Sequence, residues 1–106
     1  MARISTHVLD AARGQPAAGV QVVLQRLNGG AEETVAVAST DEQGRIADLA
    51  GEIPAGAYRL SFLVGERFGE EPHLYRAVHL DVDVAAGHHH LPLLLGPYSC
   101  TTYRGS

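Results

Sequence analysis

The stretch Val78-His79-Leu80-Asp81-Val82-Asp83-Val84 alternates apolar and polar residues without a break. A period of two puts its valines and leucine on one face of an extended strand and His79, Asp81 and Asp83 on the other, so one face is packed and the other wet. The same pattern recurs along the chain. Residues 20–26 set Val20, Val22 and Leu24 together, residues 34–40 form a third run, and residues 57–64 put Tyr58, Leu60, Phe62 and Val64 on one side. Residues 4–9 open the chain as another strand, and two more are expected over 88–95 and 98–103. Turn residues punctuate the runs at Arg13-Gly14-Gln15-Pro16, Asp41-Glu42-Gln43-Gly44, Pro54-Ala55-Gly56, Ala86-Gly87 and Gly96-Pro97. Asn28-Gly29-Gly30 predicts a tight hairpin between the second and third runs. Seven or so short strands at this spacing predict an all-β antiparallel sandwich. Residues 66–75, polar and holding Gly69 and Pro72, read as a turn of helix or a loop, so the fold has at most one short helix.

At 106 residues the chain reads as one domain, residues 1–106. A domain of that length buries roughly 60–70% of its unfolded surface, enough for one modest core. The formal net charge is −4 and every basic residue is an arginine, with no basic stripe, which argues against nucleic acid as a partner. No apolar run approaches the ~20 residues of a membrane helix. Cys100 is the only cysteine, so no disulfide forms within the chain. Met1 leads directly into the first strand with no leader pattern, and the expectation is a cytoplasmic protein without a membrane partner.

The chemistry-bearing residues are ambiguous one at a time. In a strand, His88 and His90 share a face and His89 points away. Two imidazoles on one face suit a metal, acid–base work, or plain solvation. A structural zinc needs three or four ligands, and the spacing of the remaining histidines and Cys100 makes no zinc signature. His7, within Ser5-Thr6-His7-Val8-Leu9-Asp10, reads on its own as a partly buried strand histidine. Arg45, after a turn, reads as a solvated charge or as an anion clamp whose forked donors match carboxylate-like or imide-like oxygens. The sequence closes on Tyr103-Arg104-Gly105-Ser106. That tail follows Leu91-Pro92-Leu93-Leu94-Leu95 closely and looks placed rather than frayed. No nucleophile elbow, phosphate loop or dinucleotide fingerprint occurs.

Taken together, four segments resemble the transthyretin-like 5-hydroxyisourate hydrolases of purine catabolism. They are Ser5-Thr6-His7-Val8-Leu9-Asp10, Thr40-Asp41-Glu42-Gln43-Gly44-Arg45, the run from His88-His89-His90 through Gly96-Pro97-Tyr98-Ser99, and Tyr103-Arg104-Gly105-Ser106. Transthyretins, the hormone carriers on the same scaffold, resemble the chain too but lack that ending and these histidines. The chain departs from the family's usual pattern at His89 and Cys100, where aromatics are common, and in a shortened 66–75 segment.

The resemblance implies a transthyretin-like (prealbumin-like) sandwich of two four-stranded antiparallel sheets. It also implies a homotetramer, a dimer of dimers, with active sites between the dimers. It assigns catalysis to His7, Arg45, His90 and Ser106, and substrate binding to His7, Arg45, Tyr103 and Arg104, with His88 as an accessory. The implied reaction is hydrolysis of the small substrate 5-hydroxyisourate by His-assisted water attack, with no metal or organic cofactor. The alternative it leaves is a carrier of small aromatic ligands without catalysis. Such a carrier needs apolar channel walls, which His7, His90 and Arg45 do not supply.

Overall fold

The strand runs become two stacked sheets in the computed structural model, which describes residues 1–105. The first sheet holds β1 (Ala2–Asp10), the two-residue β2 (Gln15–Pro16) and β5 (Arg45–Ile46), β8 (Gly87–Gly96) and β9 (Ser99–Thr102). Its order is β2-β1-β8-β9, with β5 also paired to β1. The second sheet, β4-β3-β6-β7, is built from β3 (Gln21–Asn28), β4 (Ala31–Ser39), β6 (Gly56–Leu63) and β7 (Val78–Val84). All seven expected strands are present. The segment after β6 holds one helical turn, α1 (Gly65–Phe68), so both halves of that expectation are realised as a turn followed by a loop.

The period-two faces pack as the sequence predicts. Ile4, Val8, Leu93 and Leu95 point inward from the first sheet and meet Val22, Leu24, Tyr58, Leu60 and Phe62 from the second. Thr6 sits among them with no exposed surface, and its hydroxyl donates to the Leu91 carbonyl at 2.6 Å. That bond removes the cost of a buried hydroxyl, about 1–3 kcal/mol if left unmade.

The second sheet is antiparallel throughout. The first differs from an all-antiparallel sheet at its centre, where β1 and β8 run parallel from Ala2 opposite Gly87 to Asp10 opposite Leu95. A parallel pair requires a long connection. Here that connection is the whole second sheet, which separates β1 from β8 in sequence. Periodicity within a strand carries no information about this direction. The direction has a consequence: the parallel register lays residues 3–7 beside residues 88–92, so the chain's first and last histidines become neighbours.

One turn fixes the entry to β5. The Asp41 carboxylate accepts the backbone N–H groups of Arg45 at 2.9 Å and Gln43 at 2.8 Å, closing the loop. Those two bonds, with the Arg45 charge nearby, hold Asp41 below the ordinary carboxylate range. Gly44 adopts φ +75° and passes so close to β1 that an added Cβ would overlap the Val8 carbonyl. Its own carbonyl accepts the Val8 N–H at 2.7 Å. The Gly44→Ala variant is expected to lose roughly 2 kcal/mol or more, from left-handed strain and the overlap together. Urea unfolding measures this directly; stability equal to the wild type would contradict the turn's described role.

Candidate active site

β1 is the strand that gathers the site. Residues 3, 5 and 7 alternate with the inward Ile4, Thr6 and Val8, so Arg3, Ser5 and His7 all face outward. On one flank His7 is the register partner of Arg45 in β5. On the other, Arg3 lies opposite His88, Ser5 opposite His90 and His7 opposite Pro92. Directly opposed residues in a sheet share a face. The outer face of the first sheet therefore carries His7, Arg45, His88 and His90 together. His89 points the other way, and its Nε2 bonds the Ala85 carbonyl at 2.8 Å. His79 pairs with Ser61 on the second sheet and His73 stacks on Phe68, so neither joins the group.

Hydrogen bonds fix which ring nitrogens are free. His7 Nε2 lies 2.9 Å from the Gln43 carbonyl oxygen. A carbonyl only accepts, so Nε2 carries the proton and Nδ1 of the neutral ring is left as the basic nitrogen. The turn that positions Arg45 thus also sets the His7 tautomer. Sequence reasoning did not single out Gln43, because a backbone acceptor leaves no trace in residue type. Ser5 was missed as well. Its hydroxyl bridges His88 Nε2 at 2.7 Å and His90 Nδ1 at 2.8 Å, and among the described residues His90 Nε2 and His88 Nδ1 have no hydrogen-bond partner. The signal for it was present, since Ser5 is two residues from His7 and shares its face.

The tail reaches the same place. Gly105 bridges to His90, its N–H donating to the His90 carbonyl at 2.8 Å. This continues the β8–β9 register, set at Leu93 opposite Thr102, without a shift. Tyr103 and Arg104 lie between these two attachment points and are exposed. Ser106 lies outside the described residues. Arg45 and His88 are exposed and His7 and His90 half-buried, so the site is an open sheet face rather than a closed cavity in one protomer.

Electrostatics single out His90. Partial burial is the largest cause holding it below the ordinary histidine value of 6.5, followed by the positive character of His7, His88 and Arg45. It is therefore neutral, and able to accept a proton, at neutral pH. The unfolded chain binds a proton at residue 90 more readily than the folded one, so acid favours unfolding. Stability is expected to fall as pH drops below about 6.5 and to level off beneath the depressed folded value. The His90→Gln variant should show a shallower slope between pH 7 and pH 5 in urea melts. An identical slope would contradict the burial argument.

The HIUase/Transthyretin family model matches residues 4–105, nearly the whole chain. The chain belongs to the HIUase/transthyretin family. Within that family, the 5-hydroxyisourate hydrolase of Caulobacter vibrioides is 40% identical over 115 aligned positions, covering 100% of both chains. The solved 5-hydroxyisourate hydrolase of Klebsiella pneumoniae superposes with a TM-score of 0.89 at 40% identity, again covering 100% of both chains. Sea bream transthyretin in complex with thyroxine superposes equally well, with a TM-score of 0.90, at 28% identity over 96% of this chain and 93% of that one. Backbone likeness therefore does not by itself separate 5-hydroxyisourate hydrolases from transthyretins within the family.

Proposed function

We propose that the protein is a 5-hydroxyisourate hydrolase acting in urate degradation, one transthyretin-like hydrolase domain over residues 1–106. The observation that carries this is the convergence of His7, Arg45, a Ser5-bridged His90 and the docked tail on one open face, in a chain 40% identical end to end to a named hydrolase. The face is polar and cationic, which suits an oxygen-rich cyclic amide and not an apolar hormone.

5-Hydroxyisourate opens at an amide bond of its six-membered ring to give 2-oxo-4-hydroxy-4-carboxy-5-ureidoimidazoline. Water attacks the carbonyl carbon, negative charge develops on the carbonyl oxygen, and the C–N bond breaks with a proton delivered to nitrogen. His7, with Nδ1 free, accepts the proton of the attacking water. His90, through Nε2, orients that water or protonates the leaving nitrogen. Arg45 binds the substrate and offsets the developing oxyanion with charge-assisted hydrogen bonds. Tyr103 and Arg104 contact the substrate from the tail, Ser106 orients a histidine or the substrate through its hydroxyl or carboxylate, and His88 is accessory. The chemistry calls for no metal or organic cofactor.

The same reading puts the site between dimers of a homotetramer in the cytoplasm. An open catalytic face on a single protomer supports it, as does the exposure of Tyr98 and Tyr103 flanking the edge strand β9. Among the described residues no helix is long and apolar enough to cross a membrane.

The chemistry is tested by running the reaction in ¹⁸O-labelled water with ¹³C NMR detection. The expected result is enzyme-dependent appearance of the ring-opened ureido product with one labelled oxygen in its carboxylate. Binding of the substrate or an aromatic ligand without any product above the spontaneous level would favour the carrier reading instead.

A further inference from the structure

Ser5 is only 5% exposed, yet its hydroxyl contacts two imidazoles, His88 Nε2 at 2.7 Å and His90 Nδ1 at 2.8 Å. A hydroxyl has one proton to donate. At most one of the two contacts is donated by Ser5, and the other is donated by an imidazole N–H. The two ring tautomers are thereby tied together. When His90 carries its proton on Nδ1, the Ser5 proton points to His88 Nε2 and His90 Nε2 is a free lone pair. When the Ser5 proton points to His90 Nδ1, the free lone pair has moved to His88 Nδ1.

We propose that Ser5 is a positioning residue that holds His90 in its base-competent tautomer and relays the proton His90 collects outward to His88. The inference rests on the hydrolase reading for its consequence in turnover, but not for the bridge itself. The relay balances atom by atom. His7 takes the first proton of the attacking water, and the second passes to His90 Nε2, making an imidazolium. His90 Nδ1–H passes its proton to Ser5 Oγ while the Ser5 hydroxyl proton moves to His88 Nε2. His90 is left neutral with its proton on Nε2, and His88 becomes the imidazolium and sheds its Nδ1 proton to water. The starting tautomers return when the His90 Nε2 proton passes to the leaving nitrogen as Ser5 reprotonates His90 Nδ1, the His88 Nε2 proton replaces the one on Ser5, and His88 Nδ1 takes a proton back from water.

The surroundings give the transfer a direction. His90 is half-buried, close enough to His7 and Arg45 for both to disfavour a second positive charge, and covered along its backbone by Gly105. His88 is exposed, so its charge is solvated. The other cation beside it, Arg3, is already neutralised by Asp48 at 3.0 Å.

The test uses the full chain with Ser5→Ala, Ser5→Thr and His88→Gln, read by steady-state kinetics on 5-hydroxyisourate and by ¹⁵N NMR of the imidazoles. Ser5→Ala is expected to lower kcat about tenfold or more, a fraction of the ~10²–10⁴ a general base contributes, with KM nearly unchanged. Its pH–kcat profile should change from that of a coupled pair to that of a single histidine. Ser5→Thr keeps the hydroxyl and should recover most of the rate. His88→Gln keeps Ser5 but removes the acceptor of the relayed proton, and should reproduce the altered profile. In the NMR titration, His88 and His90 should each report the other's protonation in the wild type and titrate independently in Ser5→Ala. The NMR arm needs no substrate: an inactive wild type would sink the hydrolase reading while leaving the bridge decided by the titrations. An active wild type with unchanged kcat and pH profile in Ser5→Ala overturns the proposal. Should Ser5→Ala not fold, a wild-type profile in His88→Gln overturns it equally.

Discussion

Replacing His90 by alanine is expected to lower kcat for 5-hydroxyisourate by about 10²–10⁴-fold, the usual worth of a positioned general acid or base. That is roughly 3–5 kcal/mol of transition-state stabilisation. KM should move little, because Arg45 and the tail remain to bind the substrate. The effect comes from a histidine whose setting is shared among three strands. β8 carries it, β1 supplies the Ser5 hydroxyl at its Nδ1, and β5 brings Arg45 alongside His7. The cation-rich, half-buried setting keeps it neutral at the pH where it must accept a proton. His90 lies on the outer face and not among the core side chains, so the variant should fold, with a near-wild-type circular dichroism spectrum. A folded His90→Ala protein turning over at the wild-type rate would remove His90 from the mechanism.

Gly105→Ala is expected to cost about 10- to 100-fold in activity while leaving the melting temperature nearly unchanged. The reason is local geometry. A Cβ built on Gly105 would stand 2.6 Å from His90 Cδ2 and 3.2 Å from both Cβ and Cγ of the same residue. Either the imidazole swings away from Ser5 or the tail lifts from β8. Both outcomes displace reacting groups by something near 1 Å, and such displacements cost rates of this order. Among the described residues, the backbone tie affected is the Gly105 N–H to His90 carbonyl bond, which contributes little to global stability. Comparing kcat with thermal melting separates the two effects. Wild-type activity in Gly105→Ala would show that the tail's docking on His90 has no part in catalysis.

Much of this was legible in the residues alone. The period-two runs located all seven main strands, since a half-buried strand cannot hide its alternation. The same periodicity put His88 and His90 on one face with His89 reversed. It did not reveal that β1 and β8 are parallel neighbours, because strand direction is set by how the whole second sheet connects them. The two-residue β2 and β5 are too short for any period, so Arg45 reads from sequence as part of a turn although it begins a strand. Ser5 and Gln43 were passed over for different reasons. Ser5 is an ordinary strand residue until two imidazoles converge on it, and Gln43 acts through a carbonyl that every residue possesses. The role assigned to Ser106 falls on a residue outside those described, and rests on the family resemblance and on the position of its neighbour Gly105.

The most direct measurement is the ultraviolet absorbance of freshly generated 5-hydroxyisourate, followed with and without the protein. The expected decay accelerates in proportion to protein concentration, and the acceleration falls by about 10²-fold or more when His7→Ala or His90→Ala is substituted at equal concentration. Decay at the spontaneous rate in the presence of folded wild-type protein would contradict the hydrolase assignment.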